Sequence, residues 1–531
     1  MTSRQRWTLI AAIIGSGAVF LDGTVVNIAL KQIGDDLPAT YITTLEGQAY
    51  VVSGYLAVLA ALLILAGGLS DHYGRRRVFA IGLAGFGATS ALCGLAPTLE
   101  WLVIFRLMQG GAGALLVPGS LSLITQAFSG AERGRAFGMW AASTSALTVL
   151  GPIVGGTMVD TIGWRSAFLI NVPVVAFALW VTLRHVEESR DAEATGRFDW
   201  LGALVAALAV GGLAFGLIRG QAHAWSDTLA WGAITVGVIS LILFPILMAT
   251  RPNPLVPLSL FKNRAFTSIN LTTFFVYGAL YVNFWYTSLV FQGVLGYTAT
   301  GAALIGLPTG VMLALLSTRI GTLAGRIGAR RFLVAGPCLM AVALLWYARL
   351  PADSEPWKAA LETPSTLVPP IDVLIDVLPG VLRFGFGISC VVAPLTATLM
   401  GSISTRFSGL GSAINNSISR VGQPLLGAFI FIAISATFYA TLGELAPSLD
   451  TSSPEVQAAF QPLNPPPPGA TPEQASAATV ASMDAFHLAM LVSAVLLVIG
   501  AVISFVGLRE QAGAPRAKAD DPVDNAVGAV G

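Results

Sequence analysis

An aspartate and an arginine lie inside long apolar segments, where charged side chains are costly. Asp22 lies in the apolar run 7–30, and Arg106 lies in the run 101–127. A charged residue at the centre of a membrane span costs about 2.5–3.5 kcal/mol on insertion scales and normally faces a cavity or a partner. Burial disfavours the charged form of a carboxyl group, so such an acid can take up and release a proton. Two interpretations of Asp22 stay open: a proton-exchange site, or a structural carboxylate that pairs permanently with Arg106 or caps a helix.

Three arginines lie within apolar segments. Because arginine does not lose its proton in proteins, Arg106 is a fixed positive charge that can act on a nearby acid. Alternatively, the Arg106 side chain extends along its helix so that its guanidinium group reaches the external membrane interface. Arg383 and Arg420 lie deeper in later segments, and Arg420 follows Asn415 and precedes Pro424. They either bind anionic groups or satisfy backbone carbonyl groups exposed beside Pro424.

A short charged loop follows the second apolar segment. Its two glycines permit a tight turn and close helix approach. Its aspartate can cap a helix N-terminus and pair with an arginine, which forms a latch that stabilises one of two access states. The alternative is that the arginines only set the orientation of the chain in the membrane. The predicted latch comprises Gly67, Asp71, Gly74, Arg75 and Arg76.

A group of small residues surrounds a proline in the fifth apolar segment. Gly151 and Pro152 are followed by Gly155 and Gly156. Small residues four apart let helices pack closely, and proline frees a backbone carbonyl and bends the helix. Tight packing alone is the alternative to a functional role.

The composition defines the elements that position these residues. Of the 531 residues, 55% are apolar and only 11% are charged, with a mean hydropathy of +0.75. Soluble domains carry about 25% charged residues, whereas a membrane-spanning helix needs roughly 20 apolar residues in succession. Soluble enzymes and disordered scaffolds are therefore excluded. A β-barrel is excluded because its segments alternate over about ten residues. A net charge of +1 provides no global field for nucleic acid.

The apolar runs predict fourteen transmembrane helices and place both termini on one side. With the termini inside, 21 of the 29 Lys and Arg residues fall in cytoplasmic segments, five fall outside and three fall in spans. This asymmetry satisfies the positive-inside rule. The predicted spans are 7–30, 47–69, 78–96, 101–127, 136–158, 166–183, 200–218, 229–249, 266–291, 300–318, 331–350, 371–397, 409–438 and 485–507.

Motifs for enzymatic or ATP-driven chemistry are absent from the sequence. It contains no P-loop, no metal-spaced His or Cys cluster and no Ser-His-Asp set. We therefore expect a protein that is not an enzyme and that has no metal and no cofactor.

The loop after the second span has a second copy. Gly67–Arg76 aligns with Gly321–Arg330, and Arg106 has a counterpart in Arg383. Parallel repeats of six helices, with a substrate site between the halves, are typical of major facilitator transporters. We therefore expect that all-α fold, with two six-helix bundles and two inserted helices.

Several motifs resemble this superfamily, in particular its fourteen-helix drug:proton antiporter family of the EmrB/QacA type. The loop Gly67–Arg76 resembles the superfamily's loop motif, with His72 in place of an arginine. Similar resemblances lie in four segments: Leu21–Leu30, Arg106–Gly113, Gly151–Gly156 and Trp164–Pro173.

The resemblance implies a secondary active exporter in the cell membrane. It implies proton-driven extrusion of lipophilic drugs, dyes or toxic compounds by alternating access, with Asp22 and Arg106 in coupling and Gly151–Gly156 in sealing the outward leak path. The expected partners are a small lipophilic molecule, protons and membrane lipids, with no nucleic acid and a monomeric chain. Two alternatives stay open: a dedicated exporter of an endogenous metabolite, siderophore or lipid, and an uncoupled membrane sensor or lipid-interacting protein.

The expected domains follow from the spans and the repeat. Aromatic residues at helical spacing in the ninth span either line a pocket for flat lipophilic ligands or belong to an interfacial belt and the core. The candidate cavity residues are Asn27, Tyr277, Tyr281, Phe284, Arg383, Asn415 and Arg420. The domains are a first bundle (1–184), a cytoplasmic linker (185–198), two inserted helices (199–250), a second linker (251–265), a second bundle (266–508) with an external loop (440–483), and a disordered cytoplasmic tail (509–531). The Pro-rich external loop is either a flexible connector or a docking element.

Overall fold

The computed structural model describes residues 1–128, 130–189, 199–222, 225–251, 254–360, 362–403 and 408–508. Within these residues the chain forms fourteen long α-helices, labelled in chain order. Their bounds are α1 Ser3–Asp36, α2 Tyr55–Tyr73, α3 Arg75–Gly94, α4 Leu99–Ala127, α5 Gly130–Thr161, α6 Asn171–His185, α7 Trp200–Ala222, α8 Thr228–Thr250, α9 Arg264–Leu289, α10 Ala299–Ile327, α11 Ala329–Tyr347, α12 Leu378–Gly401, α13 Ser408–Leu445 and α14 Pro472–Gly507.

Short helical segments extend or connect the long helices. Several of them have the wider π-helical pairing, which displaces backbone groups from the regular helical ladder. They are Thr44–Ala49 and the π-turn Tyr50–Gly54 before α2, Ser166–Leu169 before α6, the 3₁₀ turn Leu258–Lys262 before α9, the π-turn Val290–Val294 after α9, the 3₁₀ turn Pro364–Leu367 and the π-turn Val373–Val377 before α12, and Pro454–Ala459 between α13 and α14.

Thirteen helices of the described chain are long and apolar enough to cross a membrane. The remaining predicted span, 136–158, lies within α5. Every predicted span therefore overlaps a long helix, and the predicted all-α membrane fold is confirmed.

The helices pack in two equivalent sets. In the first set α1 packs on α5 and α6, α3 packs on α4 and α6, and α2 packs on α4. In the second set α9 packs on α13 and α14, α11 packs on α12 and α14, and α10 packs on α12. Adding eight to each helix number converts the first set into the second. The repeated loops agree in backbone conformation, since Gly74 has φ +106° and Gly328 has φ +98°.

The two sets meet through two equivalent helix pairs. α2 packs on α13, and α5 packs on α10. The inserted helix α7 lies along the α2–α13 seam, and α8 packs on α7. Most residues of α8 are not buried by the rest of the protein. Because α8 is apolar on all sides, it suits a position at the lipid boundary.

Contacts between the two sets close one face of the molecule. We call the face where α1 begins the terminal face and the other the loop face. At the loop face Ser288 Oγ donates to the carbonyl oxygen of Asn27 at 2.6 Å, and the backbone N–H of Leu45 donates to Gln461 Oε1 at 2.8 Å. The structure is therefore a state that is closed at the loop face.

The loop before the last helix is shorter than the sequence predicted. The 38-residue helix α13 continues to Leu445, and α14 begins at Pro472, so the connection is 446–471 and not 440–483. At a rise of about 1.5 Å per residue, α13 is longer than the ~30 Å hydrocarbon core of a membrane. Its C-terminal end therefore lies in a polar stretch of sequence, which a hydropathy criterion does not identify as part of a membrane helix. Phe460 and Leu463 are buried in this connection. This connection therefore packs against the bundle through these two side chains.

Some sequence predictions fall outside the described residues. They concern most of the first linker (190–198), the tail (509–531) and the side chains of Asp71 and Pro152.

Candidate functional site

Asp22 and Arg106 form an ion pair in the interior of the first bundle. Both side chains are buried, and Arg106 Nη1 donates to Asp22 Oδ2 at 2.5 Å. Asp22 lies on α1 and Arg106 on α4, so the pair ties these helices together. The alternative that Arg106 extends to the external interface is wrong, because its side chain turns inward.

Two amides complete the surroundings of the carboxylate. Gln109 Nε2 and Asn171 Nδ2 each donate to Asp22 Oδ1 at 3.1 Å. Both amides also donate to Ser90 Oγ at 3.1 Å, and this hydroxyl donates to the carbonyl oxygen of Phe168 at 2.9 Å. Four helices, α1, α3, α4 and α6, therefore meet at one carboxylate. Ser90 was missed by sequence reasoning, and Gln109 and Asn171 were noted in motifs without a role.

Arg106 has further acceptors beside Asp22. Its Nε donates to the carbonyl oxygen of Val51 at 3.0 Å, and its Nη1 donates to Gln109 Oε1 at 2.8 Å. Val51 belongs to the π-turn before α2, where backbone pairing departs from that of an α-helix. The guanidinium carbon lies 4.0 Å from the centre of the Tyr55 ring, in cation–π geometry. The arginine thus retains partners if the carboxylate becomes neutral.

The second bundle does not repeat this ion pair. Arg383 Nη1 donates to the carbonyl oxygen of Pro379 at 2.9 Å, and its guanidinium carbon lies 4.7 Å from the centre of the Trp346 ring. Among the described residues no carboxylate lies within ion-pair distance of Arg383. The two bundles are equivalent in packing but not in buried charge.

The predicted latch contacts the segment that follows α6. The Glu188 carboxylate accepts the backbone N–H groups of Arg76 at 3.1 Å and Arg77 at 3.2 Å. The N–H of Arg75 donates to the carbonyl oxygen of Ser189 at 3.0 Å. Glu188 therefore caps the N-terminus of α3, where a negative charge is favourable. Sequence reasoning missed this residue. The acidic residues after α6 and the arginine cluster after α2 are opposite in charge, and this could have suggested the contact.

The latch residues differ in their surroundings. Arg75 Nη1 donates to Gln126 Oε1 at 2.7 Å, and Arg76 Nη2 donates to the carbonyl oxygen of Leu183. At Gly74 a Cβ atom would lie 2.6 Å from a Glu188 oxygen, and its φ of +106° is unfavourable for other residues. At Gly67 a Cβ atom would have no neighbour within 4 Å among the described side chains. The structure thus gives a steric reason for Gly74 but not for Gly67.

The glycines of α5 lie where other helices approach closely. A Cβ atom would lie 2.6 Å from Thr24 Oγ1 at Gly151 and 2.4 Å from Val25 Cγ1 at Gly155, both on α1. At Gly156 it would lie 2.8 Å from the carbonyl oxygen of Ala299 on α10. These positions therefore hold α5 against α1 and against the other bundle.

An aspartate on α5 strengthens its contact with α10. The Asp160 carboxylate accepts the backbone N–H groups of Ala299 at 3.2 Å and Thr300 at 2.7 Å. These donors belong to the first turn of α10, so Asp160 caps that helix from the opposite bundle. Sequence reasoning missed Asp160, because its partner is remote along the chain.

Three of the predicted cavity residues make contacts within the second bundle. Asn415 Nδ2 donates to Asn270 Oδ1 at 3.0 Å and to Thr273 Oγ1 at 2.8 Å, within the second bundle. The Tyr277 and Tyr281 rings lie 6.3 Å apart on α9. The Asn415 contacts tie α13 to α9.

The other predicted cavity residues contact helices of both bundles. The Phe284 ring packs against Phe384 at 6.2 Å, and the Asn27 side chain donates to the carbonyl oxygen of Gly23 at 2.9 Å. Arg420 is buried, with its guanidinium carbon 5.5 Å from the centre of the Phe20 ring. Arg420 therefore lies at the boundary between the bundles.

The fold resembles solved transporters. The bacterial homologue of the human lysosomal transporter Spinster, in an inward-facing and unoccupied conformation, superposes with a TM-score of 0.62 at 16% identity. The match covers 96% of this chain and 97% of that chain. At this identity the likeness shows the fold.

Sequence comparison shows the family. The multidrug resistance protein Stp of Mycobacterium tuberculosis is 33% identical over 456 residues, covering 86% of this chain and 80% of that protein. The methylenomycin A resistance protein of Bacillus subtilis is 32% identical over 442 residues, covering 82% of this chain and 89% of that protein. The family model for the Major Facilitator Superfamily matches residues 12–427. The chain therefore belongs to the Major Facilitator Superfamily.

Proposed function

We propose that this protein is a proton-coupled secondary active exporter of lipophilic drugs, dyes or related toxic compounds. The names of its relatives, which are multidrug and antibiotic resistance proteins, support drug export. The observation that carries the coupling is the buried Asp22 carboxylate, which binds Arg106 and two amides in the interior of a membrane-spanning bundle.

The coupling we propose uses the two protonation states of Asp22. The ionised carboxylate ties α1 to α4 and α6 in the state that is closed at the loop face. A proton on Asp22 removes the ion pair, while Arg106 retains Val51 and Gln109 as acceptors. A ligand shifts a conformational equilibrium only by its differential affinity for the two states. Protonation therefore favours states in which α1 is released from α4.

The proposed orientation of the protein in the membrane follows from the distribution of its Lys and Arg residues. In our proposal the terminal face is cytoplasmic, since 21 of the 29 Lys and Arg residues lie on that side in the fourteen-span topology. In the proposed cycle, substrate enters from the cytoplasm and Asp22 releases its proton there while the loop face is closed. Opening of the loop face would separate Gly156 and Asp160 from α10.

Transport in proteoliposomes tests the proposal. Purified protein is reconstituted, a pH gradient is imposed, and the flux of a panel of cationic, neutral and anionic dyes is measured. We expect gradient-driven flux of several dyes by the wild type, none by Asp22→Asn, and wild-type flux by the matched control Asp36→Asn, whose exposed carboxylate lies at the end of the same helix.

The other outcomes separate the alternatives. Flux that does not respond to the gradient contradicts proton coupling and supports an uncoupled protein. Full gradient-driven flux by Asp22→Asn removes Asp22 from the coupling. Lack of transport across the whole panel, with transport of one metabolite, siderophore or lipid, supports a dedicated exporter.

A further inference from the structure

A buried arginine at the boundary between the bundles has no counter-ion among the described residues. Arg420 on α13 is 5% exposed, and its Nε atom has no hydrogen-bond partner. Its guanidinium carbon lies 5.5 Å from the centre of the Phe20 ring of α1. Charged side chains inside membrane proteins normally pair with one another or with backbone carbonyl groups, and they mark the pathways of substrates or ions. An unpaired one therefore indicates a site whose partner is a ligand.

Arg420 lies at about the same depth in the membrane as the ion-pair site. Its neighbour Phe20 lies near the middle of α1, two residues before Asp22. Asp22 is already paired with Arg106, so it does not serve as the counter-ion of Arg420. Because arginine does not lose its proton in proteins, the charge of Arg420 is permanent. In a low-dielectric interior this charge attracts an anion more strongly than a water-exposed arginine does.

A glutamine one helical turn further along α13 also lacks a partner. Gln423 is buried, and its Nε2 amide group has no acceptor within the described part of the chain. Residues three apart on a helix lie on the same face, so Arg420 and Gln423 share one side of α13. Ser417, three residues before Arg420, contacts α2, because its Oγ donates to the carbonyl oxygen of Ala60 at 2.6 Å. The face of α13 that carries both donors is therefore turned to the first bundle.

The facing helix α2 supplies a third buried polar group. The hydroxyl group of Tyr55 has no hydrogen-bond partner among the residues that the structure describes, and the residue is buried. α2 and α13 pack on each other and run in opposite directions. Tyr55 precedes Ala60 on α2 by a rise of about 7.5 Å. The same rise along α13 from Ser417 ends between Arg420 and Gln423. Accordingly, the charge of Arg420 interacts electrostatically with the Tyr55 hydroxyl group.

We propose that Arg420, Gln423 and Tyr55 form a binding site for the anionic group of an amphipathic substrate, such as a carboxylate. The planar guanidinium group can donate two parallel hydrogen bonds to a carboxylate. The Gln423 amide and the Tyr55 hydroxyl group donate to its remaining lone pairs. Because it names a class of substrate, the proposal rests on the proposed export function, but binding itself does not require transport.

Equilibrium dialysis of the purified full-length protein in detergent tests the site. Three probes share a pyrene ring and a butyl chain and differ in the end group: 1-pyrenebutyrate is an anion, 1-pyrenebutanol is neutral, and 1-pyrenebutylamine is a cation at neutral pH. Dialysis against micelles without protein corrects for partitioning into detergent. We expect the wild type to bind 1-pyrenebutyrate at least about tenfold more tightly than either other probe.

Variants separate the contributions of the three residues. Arg420→Gln should weaken binding of 1-pyrenebutyrate about tenfold or more and leave binding of 1-pyrenebutanol unchanged. Arg420→Lys keeps the charge but not the planar pair of donors, so its affinity for the anion should be intermediate. Gln423→Leu and Tyr55→Phe should each weaken binding of the anion about threefold or more. The matched control Arg264→Gln removes a guanidinium group that donates to the Val506 carbonyl oxygen at the terminal face, and binding should be unchanged.

Thermal unfolding distinguishes a binding role of Arg420 from a structural one. An unpaired buried charge destabilises the folded protein, so Arg420→Gln should raise the melting temperature in the absence of ligand. Addition of 1-pyrenebutyrate should raise the melting temperature of the wild type more than that of Arg420→Gln, because a ligand stabilises the state that binds it. A lower melting temperature of Arg420→Gln without ligand would mean that the arginine has a structural partner and would overturn the proposal.

Equal or tighter binding of 1-pyrenebutylamine by the wild type would also overturn the proposal, and this comparison needs no variant to fold. Anion binding that Arg420→Gln leaves unchanged would contradict it in the same way.

An anionic lipid headgroup shares the chemistry of the proposed ligand, so phosphatidylglycerol and phosphatidylethanolamine are compared as competitors. We expect neither to displace 1-pyrenebutyrate. Displacement by phosphatidylglycerol alone would assign the site to a lipid headgroup and overturn its assignment to a substrate. Because binding is measured without a pH gradient, weak binding of the anion contradicts this site but not gradient-driven flux of other dyes. Lack of flux, in turn, contradicts the proposed function but not the binding of the anion.

Discussion

Replacement of Asp22 by asparagine should destabilise the protein by leaving a buried charge without its counter-ion. The amide retains an oxygen that can accept from Gln109 and Asn171, so the loss is concentrated in the Arg106 ion pair. Removing one partner of a buried ion pair costs about 3–5 kcal/mol. Arg106 retains other partners, among them the Val51 carbonyl group. We therefore expect a loss of unfolding free energy near the lower end of that range, at about 3 kcal/mol.

The assay is denaturant unfolding of the purified protein in detergent, combined into a double-mutant cycle with Arg106→Gln. The double variant has neither buried charge, so its loss should be smaller than the sum of the two single losses by about 1–3 kcal/mol. The control Asp36→Asn removes an exposed pair with Arg165 and should cost about 0–1 kcal/mol.

Additive losses in this cycle would refute the reasoning. They would mean that Asp22 and Arg106 do not depend on each other in the protein. A loss in Asp22→Asn no larger than in Asp36→Asn would show that the carboxylate contributes no more than an exposed acid. Either result would also remove the physical basis of the proposed coupling.

Three further predictions concern the closed face, the linker and the topology. Gly156→Ala should destabilise the closed loop face by about 1–3 kcal/mol, because the new Cβ atom would lie 2.8 Å from the Ala299 carbonyl oxygen. Cysteines introduced at the loop face should then be labelled faster, and unchanged labelling rates would contradict the prediction. Glu188→Gln should lower the free energy of unfolding by about 0.3–1 kcal/mol, because the negative charge at the N-terminus of α3 is lost. High salt should reduce this difference, and an equal difference at high salt would exclude a charge effect. In a variant without the native cysteines, Ser448→Cys should react with an impermeant maleimide on intact cells and Glu187→Cys only after permeabilisation; reaction of both from the same side would contradict the topology.

Much of the fold was predictable from the sequence because membrane spans follow a one-dimensional rule. In lipid every backbone polar group must be paired within the segment, so an apolar run of sufficient length becomes a helix. All fourteen predicted spans overlap long helices for this reason. The helix ends were less predictable, as in the loop before α14, because α13 and α14 extend into polar regions that hydropathy does not mark.

The candidate site was predictable in its residue types but not in its contacts. Asp22 and Arg106 stand out because charge in an apolar span is costly. Their pairing, and the roles of Ser90 and Asn171, depend on four helices that are far apart in the chain. The contact of the Asn415 amide, which ties α13 to α9, was likewise not predictable from its position in the sequence.

By itself the sequence determined the membrane class, the helices, the repeat and the buried charges, because each follows from local composition or from comparing two stretches of chain. Only the tertiary structure decided that Arg106 turns inward to Asp22, that Glu188 caps α3, that Asp160 caps a helix of the other bundle, and that Arg420 lies buried beside Phe20 of the other bundle. Those facts depend on distances between residues remote in sequence. Such distances are set by how the helices pack, and packing depends on the shapes of all the side chains together.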